Sequence, residues 1–164
     1  MPKASSVKKY AERFMREAFP DHLAVSGDKS APGNKHTSKT LSGAVRESNG
    51  LFSRVRVDLG DRTDGVCRLA VQLAVSVFEE CDFPKEGSVY CYLIDLTDEF
   101  EELADMKDRF ESIWWSDYWV SLGVDDAEID GNLNFIIELA RTGLPLFVSS
   151  AEKRLVEAAI RVRP

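Results

Sequence analysis

The chain has 164 residues, 44% hydrophobic and 30% charged, with a formal net charge of −7, which fits one globular domain with a sizeable core. It lacks both an apolar run of the ~18 residues a membrane span needs and a secretory leader, so a cytoplasmic protein with no membrane partner is expected. Three cysteines in apolar settings (Cys67, Cys81, Cys91) and two histidines (His22, His36), with no CxxC spacing, argue for buried thiols, no metal and no cofactor.

The first predicted element is an amphipathic helix within residues 1–24. Val7, Tyr10, Ala11, Phe14, Met15, Ala18 and Phe19 recur at spacings of three and four, after a capping Ser5 or Ser6 and before Pro20. Residues 25–50 turn to Ser, Gly, Lys, Asn and Thr and read as a flexible polar loop. Its Gly27 to Lys35 stretch imitates a phosphate-cradling loop, but five residues separate the glycines instead of four, and Gly33 is followed by Asn34 rather than Lys.

Residues 51–164 read as the α/β core. Leu51 to Leu59 alternates polar and apolar residues, as a half-covered strand does. Val66 to Phe83 is apolar on nearly every side and predicts a buried helix, while Ser88 to Leu96 predicts a strand covered on both faces. A helix-bearing crossover of this length implies a βαβ unit with parallel strands. Asp98 with Glu101 then has the form of a capping box opening a helix with Phe100, Leu103, Phe110 and Ile113. A later helix ends at Gly143, Leu144 to Ser150 forms a third strand, and Ser149 with Glu152 caps a last helix. The expected fold is an α/β or α+β domain of three layers, with a short, mostly parallel sheet of at least three strands flanked by helices.

Two acidic echoes, Val57-Asp58-Leu59-Gly60-Asp61 and Ile94-Asp95-Leu96-Thr97-Asp98, fall at the predicted strand ends. In an open parallel sheet those ends face a ligand crevice, where Asp58, Asp95 and Asp98, with Asp61, Asp64 and Glu99 nearby, would hold magnesium and act on a phosphoester. Against this hydrolase alternative, Asp61, Asp64 and Asp98 already suit turns and caps. Only Asp95, inside an apolar run, lacks a structural reason. The chain has no GxSxG, HExxH or DxDxT signature.

Residues 114–130 concentrate Trp114, Trp115, Tyr118 and Trp119 with Asp117, Asp125, Asp126, Glu128 and Asp130. Large aromatics supply contact area at low entropic cost, and carboxylates hasten encounter with a basic partner. If the segment were helical, Trp115 and Trp119 would share a face and turn into the core. The charge is divided: residues 1–56 hold 11 Lys+Arg against 5 Asp+Glu (+6), and residues 57–164 hold 10 against 23 (−13). Nucleic-acid binding would have to run through the basic first third alone, so a nucleic-acid partner is not expected. The preferred expectation is an acidic protein-binding module, an inhibitor of a basic protein in the manner of an immunity protein or antitoxin, or an adaptor.

Overall fold

The computed structural model of the protein describes residues 4–26, 35–36, 39–60, 64–79 and 87–162. Strands β1 (Lys35–His36), β2 (Thr40–Arg46), β3 (Phe52–Leu59) and β4 (Cys67–Ser76) form an antiparallel meander, each paired with the next. Strand β5 (Ser88–Tyr92) folds back on β4, and β6 (Trp114–Ser116) makes a tight hairpin with β7 (Trp119–Gly123), which also pairs with β4. The helices are α1 (Ala4–Ala18), α2 (Pro20–Ser26), α3 (Leu93–Glu99), α4 (Lys107–Ile113) and α5 (Asp126–Val162), with a 3-10 segment at Glu101–Met106.

The sheet overturns the expected mostly parallel, three-layer arrangement: all six pairings among its seven described strands are antiparallel. The decisive misreading is Val66 to Phe83, which contains β4 and not a helix. In Cys67-Arg68-Leu69-Ala70-Val71-Gln72-Leu73-Ala74-Val75-Ser76 the large apolar residues alternate strictly with small or polar ones. The two alanines on the outer positions disguised the period of two as an all-round apolar helix. Without that helix there is no crossover, and the parallel pairing it implied disappears.

Core membership shows which face the helices cover. Leu41, Val55, Val57, Leu69, Val71, Leu73, Val75, Cys91, Val120 and Leu122 join one cluster with Phe14 and Met15 of α1, Leu96 of α3, Phe110 of α4 and Ile129, Leu133 and Phe147 of α5. Ala70 and Ala74 are buried but lie outside that cluster, on the opposite side of β4. The described helices therefore form one layer on one face of a twisted sheet, an arrangement of two layers.

The long helix α5 replaces the predicted helix, strand and helix after residue 126. Its run passes through Gly143 and Pro145 without stopping. Gly143, Phe147 and Ala151 follow a spacing of four and are buried, so the Leu144 to Ser150 stretch that resembles a strand is the apolar side of a helix. Pro145 is exposed, where the carbonyl it leaves without a donor can face water.

The amino-terminal helix is found as α1, continued after Phe19 by α2, with Pro20 at the first helical position instead of simply ending the chain's helicity. Strand β2 forms inside the stretch read as a polar loop. The Gly27 to Lys35 glycines, Asp61 and Cys81 lie outside the described residues. Cys67 and Cys91 are buried thiols, and burial together with nearby Asp95 pushes the Cys91 thiol up. No helix among the described residues is long and apolar enough to cross a membrane.

Candidate functional site

The strand-end carboxylates are separated by the fold. Asp58 lies on the outer side of β3, accepting from the Arg56 Nε at 3.1 Å and from the Thr40 hydroxyl at 2.8 Å. Asp95 is not on a strand: β5 ends at Tyr92, and the Asp95 carboxylate accepts the Tyr92 backbone N–H at 2.8 Å, closing the first turn of α3. This supplies the structural reason that Asp95 lacked. Asp98 sits within α3, not at a cap, and pairs with Lys107 at 2.8 Å, which raises the Lys107 pKa.

Asp95, Asp98 and Glu99 do share a shallow cleft of about 310 Å³ with Tyr90 and Cys91. Glu99 is held there by Arg154 and Ser150 of α5. Among the described residues, no group of three or more His, Cys, Asp or Glu is arranged to hold a metal ion. The geometric premise of the hydrolase reading, two carboxylate pairs at one edge of a parallel sheet, falls with the sheet's antiparallel pairing.

The segment from Trp114 to Asp130 divides into two parts. Its acidic half anchors α5. The Asp125 side chain accepts the Glu128 backbone N–H at 2.9 Å, as a helix N-cap does. Asp126 accepts the Tyr10 hydroxyl at 2.6 Å, which with burial pushes the Tyr10 pKa up to about 12. Asp130 pairs with Arg13 at 2.9 Å. These contacts tie α1 to the start of α5, so the acidic spacing answers first to the fold.

Its aromatic half is the β6–β7 hairpin, not a helix, and the rings do not enter the core. Trp114 is 43% exposed, Trp115 54% and Tyr118 36%, while Trp119 is half-buried. Asp117 occupies the left-handed region at φ 46°, which aspartate tolerates in tight turns. The Trp114 indole N–H donates to the Asp117 carbonyl at 2.8 Å and pins that turn. Arg68 of β4 lies 4.0 Å over the Trp115 ring, donates to the Ser121 hydroxyl and pairs with Asp64 at 2.8 Å. The Val66 N–H and that arginine hold the Asp64 pKa below its usual value.

The hairpin continues into a surface that sequence reasoning missed. One edge of β4 is shared: residues 72–76 pair with β5, and residues 67–70 pair with β7. β5 and β7 are two halves of one broken strand, with residues 93–118 inserted at the break. At the break Tyr92 stacks on Tyr118 at 4.9 Å and Tyr118 on Trp119 at 5.7 Å, with Tyr90 beyond Tyr92 at 6.2 Å. The available signal was the period of two in Tyr90 and Tyr92, which puts both rings on the side away from Cys91.

Comparisons with protein-family models, curated proteins and solved structures return no match. The chemistry of this surface therefore carries the functional reading.

Proposed function

We propose that the protein is an acidic, protein-binding module that engages a basic partner through the β6–β7 hairpin, as an inhibitor or an adaptor, in the cytoplasm. The observation that carries this reading is the exposure of Trp114, Trp115 and Tyr118 on one hairpin, where none of them joins the core. Exposed aromatic rings are the usual anchors of protein interfaces. The preference for a basic partner rests on charge. The hairpin is entered directly from residues 95–111, which hold eight Asp+Glu against two Lys+Arg, a net of −6, and exposed indole and phenol faces attract ammonium and guanidinium groups. Arg68 over Trp115 displays that attraction within the chain.

The test is to identify the partner by cross-linking in the native host, rebuild the complex from purified proteins and compare Trp115→Ser and Tyr118→Ser with the wild type. The expected result is a basic partner bound at least ~10-fold more weakly by both variants, since interface anchors typically contribute ~2 kcal/mol or more. A partner held equally well by both variants would overturn the reading.

A further inference from the structure

The face of the sheet turned away from the helices has an order that the hairpin reading does not use. Strand register places Ala44, Arg54, Ala74 and Tyr90 abreast in one row. Ser42, Arg56, Gln72 and Tyr92 make the next, and Thr40, Asp58, Ala70 and Trp119 the third. Ala70, Gln72 and Ala74 of β4 are thus the floor of a trough. Arginines of β3 make one wall and the rings of β5 and β7 the other, two strand spacings or about 10 Å apart.

The arginine wall of this trough is basic on an acidic chain: Arg46, Arg54 and Arg56 stand with Asp58 on the β2–β3 side, while Asp95 and Asp117 lie near the Tyr92 ring across the floor. Arg46, Arg54 and Arg56 belong to the basic first third, the only part of the sequence able to meet phosphates. Arg54 is buried and held by the Glu79 carbonyl at 2.7 Å, so the contact falls to Arg46 and Arg56. Arg46 is exposed and lies 5.8 Å from the Phe52 ring centre. The Arg56–Asp58 pair is partly exposed, so a phosphate can replace that carboxylate at small cost. The acidic run 95–111 follows β5, and its Asp95, Asp98 and Glu99 share a shallow cleft with Tyr90 at the end of the ring wall.

We propose that this trough binds single-stranded nucleic acid, with the phosphate backbone along Arg46 and Arg56 and the bases against Tyr92 and Trp119. An arginine ridge facing an aromatic ridge matches a single strand, which carries charge on one side and unpaired π faces on the other. A duplex hides those faces. The proposal differs from the hairpin reading in its ligand and in the arginines it uses, Arg46 and Arg56, and it shares with that reading the stack of Tyr118 on Tyr92 and Trp119.

Fluorescence anisotropy with labelled oligo-U and oligo-dT of about 12 nucleotides tests it, in about 50 mM salt. The expected result is saturable binding that a duplex competes for poorly and that falls ~10-fold or more between about 50 and 200 mM salt. Arg46→Ser with Arg56→Ser, and separately Tyr92→Leu, should each weaken it ~10-fold. Arg46→Ser alone, at an exposed position, should weaken binding with an unchanged melting curve, which separates contact from folding. No saturable binding at low salt, or affinity untouched by all these variants, overturns the proposal. So does polyglutamate competing as well as the oligonucleotide, which would assign the trough to an acidic protein segment.

Discussion

The Tyr92 and Tyr118 rings stack 4.9 Å apart where one strand stops and its collinear continuation begins, after 26 intervening residues. The long detour through α3, the 3-10 segment, α4 and β6 returns to within one ring thickness of its start. Burial raises the Tyr92 pKa, with Tyr90, Tyr118 and the nearby Asp95 and Asp117 carboxylates adding to it. The break thereby becomes a display of rings rather than a defect in the sheet.

Because its ring lies outside the core, Trp115→Ala should cost only about 1 kcal/mol in urea unfolding, the loss of a cation–π contact with Arg68. Phe147→Ala, at a fully buried ring, should cost about 3–5 kcal/mol in the same experiment. Equal costs at the two positions would contradict the exposed hairpin.

Asp125→Ala should remove the N-cap of α5 and lower stability by about 1 kcal/mol. It should leave the affinity for the basic partner nearly unchanged, while Tyr118→Ser does the reverse. Measuring both quantities on both variants separates the part of the Trp114 to Asp130 segment that builds the fold from the part that meets a partner.

His22 is a buried residue of α2, its Nε2 2.9 Å from the Ser53 hydroxyl of β3, which in turn donates to Glu47 at 2.5 Å. Desolvation lowers its pKa below the usual 6.5, outweighing the upward pull of Glu47. The unfolded chain then binds a proton that the folded chain resists. Stability is fully present above pH 6.5 and is lost as pH falls from there toward the lowered folded value. Urea midpoints measured across this range should fall for the wild type and change less for His22→Gln.

Two glycines should respond in opposite directions. A Cβ on Gly43 would stand 2.1 Å from the His22 carbonyl oxygen, a backbone atom that cannot turn aside. Gly43→Ala should therefore cost about 3 kcal/mol or more by pushing α2 off β2. Gly131, inside α5 with open space around it, should gain about 0.5–1 kcal/mol as Gly131→Ala. Unfolding midpoints read both.

Legibility followed the strength of the local period. The stripe of α1 has one apolar side and a polar remainder, so Phe14 and Phe19 were recognisable as core. The alternation in Leu51 to Leu59 was equally plain, and β3 lies there. In β4 the same alternation was hidden because alanine is at once apolar and helix-forming, leaving helix and strand patterns superimposed. Before Leu144 to Ser150, Gly143 had the place of a helix C-cap and signalled a break that the packing of Phe147 and Ala151 overrides. Propensity is a preference of about 1–3 kcal/mol, and a buried ring outweighs it.

By itself the sequence determined the size of the core, the amphipathic amino terminus, the division of charge and the concentration of rings near Trp114, since these depend on residue type and local order. Tertiary structure alone decided the antiparallel pairing, the separation of Asp58 from Asp95, and the gathering of Arg56, Tyr92 and Trp119 onto one face of the sheet. Those outcomes depend on which segments pair across long stretches of chain, and a side chain's neighbours on a sheet come from other strands rather than from its own.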